Sequence, residues 1–130
     1  KINLTIQKIF EQKGEPFFRK LEEEITLKEL KKKNKIISLG GGAFMNNKIR
    51  NFVVLSTKSF WLDLKTDLIA KRLNNSKKRP LLIDRNIRPT LEKIYNERKS
   101  VYLLANHKID CNNLSADLIV KKIVKLYEDN

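Results

Sequence analysis

Apolar residues recur along this chain at two spacings, one helical and one extended. Ile6, Ile9 and Phe10 fit one face of a short helix over 4–12, which Gly14 ends. Phe17, Phe18, Leu21, Ile25 and Leu30 return close to every third or fourth residue, with Leu27 less well placed. They predict a second helix over 15–33, with Pro16 in its first turn. The apolar run 35–39 closes on three consecutive glycines and reads as a buried strand entering a turn. Residues 46–52 read as a short helix, and 53–57 fit either state. The aromatic and apolar run 59–64 predicts a second strand. Thr66 is placed to cap a helix through 73 that turns Leu68, Ile69 and Leu73 inward. Residues 74–80 are polar, basic and rich in turn formers, so they predict a mobile loop. Leu81, Leu82 and Ile83 follow it, as expected of a flap that folds onto something. A helix over 89–104 offers Leu91, Ile94, Tyr95, Val101 and Tyr102 to the core. A third strand spans 108–111. Ser115 caps a last helix to 127, with Leu118, Ile119, Ile123 and Leu126 on one side.

Strand and helix alternate with no hairpin signal between them. That predicts an α/β fold, a three-layer α/β/α arrangement around a central parallel sheet. Ligands of such sheets bind at the carboxyl ends of the strands, and the three glycines stand at such an end. The length of 130 residues fits one domain, and neither an internal repeat nor a linker divides it.

Composition narrows the picture modestly. A formal net charge of +13 suits anionic partners: phosphates, carboxylates or nucleic acid. Most of the excess is lysine in a chain also rich in Asn and Ile, so the position of each arginine says more than the total. Cys111 is the one cysteine and has no internal disulfide partner, which points to a reducing compartment and a small strand residue. His107 is the one histidine, which argues against a His-based triad or zinc site. No apolar run approaches a membrane span, and Glu11 and Glu15 do not suit a secretory signal.

Gly40, Gly41 and Gly42 remove every side chain from one piece of main chain, so a ligand can approach its N–H groups. Only Gly14 lies outside that run. Arg19 and Glu22 are three apart on one helix face; as a solvated pair they would contribute about 0.3–0.5 kcal/mol. Arg72, in the last turn of its helix, complements the helix dipole if it does nothing else.

Taken in order, Phe18-Arg19-x-x-Glu22, Gly40-Gly41-Gly42-Ala43, Trp61-Leu62-Asp63 with Arg72, Arg79-Pro80-Leu81-Leu82 and Glu97-Arg98-x-x-x-Tyr102 resemble shikimate kinase. The resemblance runs from about residue 9 to the C-terminus, and it rests on the combination, since no one of these motifs is specific. It implies a small P-loop NTPase of the nucleoside-monophosphate-kinase type that makes shikimate 3-phosphate from shikimate and ATP with Mg2+. It further implies a cytoplasmic monomer in the chorismate pathway to aromatic amino acids, without nucleic-acid or membrane partners. Residue by residue, Arg19 would hold the shikimate carboxylate, with Glu22 orienting it and Arg98 reaching it from another side. Gly40, Gly41 and Gly42 would line the pocket. Arg79 would be the catalytic lid arginine and contact the nucleotide, and Arg72 would lie against the adenine. The shikimate-binding region would occupy 4–42 and the mobile lid 74–88.

The family's Gly-rich Walker loop and DxD motif do not occur in the sequence. No metal ligand is therefore assigned. The expectation is that an N-terminal P-loop segment precedes Lys1, and that these residues alone are inactive. Asn112-Asn113-Leu114-Ser115 also lacks an arginine that many relatives place against adenine. Three alternatives are a related small-molecule kinase such as gluconate kinase or an adenylate-kinase-like enzyme, a basic nucleic-acid-binding module, and a pseudo-kinase that binds without turnover.

Overall fold

The structure, a computed structural model, describes residues 5–74 and 87–129. Its contacts form two compact units, Lys1–Ser56 and Thr57–Asn130.

The first unit is built on α1 (Ile6–Leu30). Thr5 caps it, its hydroxyl accepting from the Lys8 N–H at 3.1 Å. The two helices expected from the sequence run into one another across a kink at Gly14, whose φ of 84° and ψ of 169° suit only glycine. Pro16 then opens the second arm, where its missing N–H costs nothing. A Cβ at Gly14 would meet nothing closer than 3.8 Å, so strain there is a matter of backbone alone. Gly14→Ala is expected to destabilise the fold by about 1–3 kcal/mol, read as a lower melting temperature in thermal denaturation.

Residues 35–40 form no strand, against the expectation for 35–39. A strand exists by pairing, and among the described residues none pairs with this run; Ile36 is fully exposed. After the glycines comes a single 3-10 turn, Ala43–Met45. Then α2 (Asn47–Ser56) covers most of the stretch whose state the pattern left open. Asn46 is its cap rather than its first residue: Oδ1 accepts from the N–H groups of Lys48 and Ile49 at 2.8 and 3.0 Å. The core of this unit is Ile9, Ala43, Phe44, Ile49 and Val53, all buried. Phe17 and Ile25, expected inward, are exposed.

The second unit holds two parallel strands, β1 (Phe60–Asp63) and β2 (His107–Asp110), paired from Phe60↔His107 to Asp63↔Asp110. Three helices accompany them: α3 (Thr66–Asn74), α4 (Ile87–Tyr102) and α5 (Ala116–Glu128). Helix α3 packs on α4, and α5 on β2. Asparagines clasp the strand pair at both ends. The Asn106 side chain accepts from the Ser59 N–H at 2.8 Å, and that of Asn112 from the Lys65 N–H at 2.9 Å. Ser115 caps α5 as expected, accepting from the Leu118 N–H at 3.2 Å. Leu118 itself is exposed, because α5 is covered mainly by β2 and buries no residue fully. Cys111 is free and buried, and that burial pushes its thiol pKa up, as fits a packing residue. No helix among the described residues is long and apolar enough to cross a membrane.

Candidate substrate site

Helical spacing puts Arg19 where two carboxylates on its own helix reach it. Glu15, one turn before, accepts from Nε and from one terminal nitrogen of the guanidinium, both at 3.4 Å. Glu22, one turn after, accepts from Nη1 at 2.9 Å. Glu22 is the better screened partner, its side chain 16% exposed against 52% for Glu15. The guanidinium also lies over the Phe18 ring, 5.3 Å from its centroid, which limits where the fork can swing.

The glycines come against this same pair. A Cβ added to Gly42 would stand 2.6 Å from Nη1, 2.7 Å from Nη2 and 2.8 Å from Cζ of Arg19. One added to Gly40 would meet Oε2 of Glu22 at 3.2 Å. Neither glycine has a positive φ, so the main chain here needs glycine for close approach and not for its conformation. The bend is held in place from two sides. The Ala43 N–H donates to the Gly40 carbonyl at 3.0 Å, and the Asn46 amide donates to Glu23 on α1 at 2.6 Å. Adjacent carboxylates thus divide the work: Glu22 aims the arginine, and Glu23 ties down the loop behind the glycines. An apolar groove of about 640 Å³ runs along α1 past Ile6, Ile9, Leu21 and Ile25, and touches the site at Phe18 and Glu22.

Five of the expected site residues, Arg19, Glu22, Gly40, Gly41 and Gly42, therefore lie in the first unit, four of them in mutual approach. Two others lie in the second: Arg72 is exposed in the last turn of α3, and Arg98 is half-buried just before the last turn of α4. Arg79 lies outside the described residues, as does most of the expected lid. Sequence reading missed Glu15, although its spacing from Arg19 signals a helical pair, and it missed Glu23 with Asn46. Nothing in the sequence marks that last contact, which joins residues 23 apart. Among the described residues no group of three or more His, Cys, Asp or Glu could hold a metal ion.

Parallel strands accompanied by helices make this an α/β protein, and in its first unit a guanidinium is laid against bare main chain. The comparisons with known proteins give this class a family. The shikimate kinase family model matches residues 1–128. The shikimate kinase of Bartonella quintana is 32% identical over 122 residues, and that of Bacillus subtilis 38% identical over 125. These alignments take in 94% and 95% of this chain but 58% and 67% of the two relatives, so the chain spans about three-fifths of their length. A shikimate kinase from Acinetobacter baumannii, solved in complex with shikimate, superposes with a TM-score of 0.92 at 29% identity, over 97% of this chain and 71% of that one. The chain belongs to the shikimate kinase family, and it carries that family's α/β fold. The match leaves the nucleic-acid-binding alternative without support.

Proposed function

We propose that this protein phosphorylates shikimate to shikimate 3-phosphate at the expense of ATP, with Arg19, Glu22 and the glycine bend as the seat of the acceptor. The observation that carries the reading is the closeness of Gly42 to the Arg19 guanidinium, with Glu22 holding the fork. A planar carboxylate fits a guanidinium fork through two parallel hydrogen bonds. Arg19 has one exposed, long contact to give up, that with Glu15, while the shorter bond to Glu22 keeps the fork aimed. Bare main chain beside it lets the ring and hydroxyls of the acid sit against backbone rather than side chains.

Phosphoryl transfer is mostly positioning and neutralisation of charge. Arg98 is proposed as a second cation for the acceptor carboxylate, Arg79 as the charge brought to the transferring phosphate, and Arg72 as a contact for the adenine. Mg2+, expected with ATP in such chemistry, would neutralise the phosphates; the described residues position the acceptor and supply no ligand set for the metal. Membership of the family supports a place in the chorismate route to aromatic amino acids, in the cytoplasm and as a monomer.

The test is release of ADP by the intact protein in a coupled assay. Turnover that appears on adding shikimate is the expected result. ADP release that ignores shikimate overturns the reading.

A further inference from the structure

Glu15 stands between Gly14 and Pro16 and precedes Arg19 by four residues, the order in which a helical pair of opposite charges is most favourable. One of its oxygens, Oε2, lies 3.4 Å from both Nε and Nη2 of Arg19. Those two nitrogens present parallel N–H groups along one edge of the guanidinium, a pair that a planar carboxylate takes with one oxygen on each. Glu15 lies across that edge with a single oxygen, and both contacts are longer than the roughly 2.7–2.9 Å of a strong charge-assisted bond. Glu22 leaves the edge alone: it accepts from Nη1 at 2.9 Å.

The two acids differ in how firmly they are held. Oε2 of Glu22 stands against the main chain at Gly40, where an added Cβ would be 3.2 Å away, and the Glu22 side chain is largely covered. The Glu15 side chain is half exposed, and among the described residues Arg19 is its one ion-pair partner. An exposed pair of this kind contributes little to stability and parts without loss of the fold. A carboxylate arriving from solvent meets the same edge and brings two oxygens to it where Glu15 brings one.

We propose that Glu15 is an internal stand-in for the acceptor carboxylate: it holds the Nε–Nη2 edge of Arg19 before the acid binds and is displaced from it when the acid arrives. The proposal rests on the role given to Arg19 above and deepens it. Glu15 keeps the cation compensated and the fork in place, and an acid that binds must first break the pair. Its presence therefore weakens acceptor binding, whereas Glu22, which keeps its bond, strengthens it. Two carboxylates flanking one arginine on one helix thus act on the same substrate with opposite sign.

The experiment measures KM for shikimate and for ATP in the intact protein and in its Glu15→Gln, Glu15→Asp and Glu22→Gln variants. Glu11→Gln is the control, since Glu11 is an exposed acid of the same helix that accepts from Gln7 and not from Arg19. Glu15→Gln is expected to lower KM for shikimate about threefold and leave that for ATP unchanged, as for release from one exposed ion pair. Glu15→Asp keeps the charge but loses the reach, and should lower KM for shikimate about twofold. Glu22→Gln should raise it about tenfold, as for a weakened hydrogen bond between charged groups. A KM for shikimate that Glu15→Gln leaves unchanged or raises overturns the proposal, as does a fall in Glu22→Gln. An equal fall in Glu11→Gln would report net charge alone and overturn it too. If Arg19→Ala leaves KM for shikimate unmoved, the role of Arg19 falls and the proposal with it; if Arg19→Ala raises that KM and Glu15→Gln does not lower it, the proposal falls alone. If Glu15→Gln does not fold, Glu15→Asp decides by the same outcomes.

Discussion

Arg19→Ala is expected to raise KM for shikimate about 100-fold, as for loss of a two-point, charge-assisted contact, and to leave KM for ATP within about twofold. The expected loss sits in binding and not in folding. The ion pairs that Arg19 makes are part-exposed, with side chains 30%, 16% and 52% accessible, so they contribute at most about 1 kcal/mol to stability. Removing the guanidinium does more than delete a cation. It leaves Glu15 and Glu22 facing the place where an acid must bind, so attraction gives way to repulsion. Steady-state kinetics in both substrates, with a thermal melt alongside, checks the split. A comparable rise in both KM values would show that Arg19 is not confined to the acceptor side.

Gly42→Ala is the second large expectation, and it is a test of shape rather than charge. The new methyl would stand 2.6–2.8 Å from three atoms of the Arg19 guanidinium, a separation that real Cβ atoms do not adopt. What it meets is the far end of a flexible side chain, so the arginine moves and the main chain stays. The backbone at Gly42, with φ −88° and ψ −12°, accepts alanine without strain. Displacing the fork by about 1 Å should raise KM for shikimate at least tenfold while the melting temperature stays within a few degrees of the parent. Gly40→Ala should do less, since its nearest contact, Oε2 of Glu22, is at 3.2 Å and can yield. Gly14→Ala should show the opposite signature, a loss of stability with KM for shikimate largely preserved. The same substitution at two glycines thus separates a need for close approach from a need for unusual backbone.

The contrast shows how far the sequence can be read. Helices α1, α4 and α5 are legible because amphipathic spacing, Pro16 and Ser115 are local signals, and a helix satisfies its own hydrogen bonds. Residues 35–39 carry a sound strand signal and yet form none, because a strand's bonds lie in another segment and among the described residues none pairs with this run. Ile25 has the right period to be core and is exposed, since period fixes a face and says nothing of what covers it. At the site, the pair Arg19 and Glu22 and the meaning of bare main chain at 40–42 could be read from residue types and spacing. That the two come together could not. It depends on the Asn46–Glu23 bond and on the burial of Phe44 and Ile49 in the core of the same unit, which no spacing records.

Calorimetric titration of shikimate into the intact protein and into its Arg19→Ala and Gly42→Ala variants goes most directly to the claim that the arginine and the glycine bend form one seat for an acid. Saturable heat with the parent, and its loss or great weakening in both variants while ATP still binds each, is the predicted result. Shikimate binding of equal strength in all three proteins would contradict it.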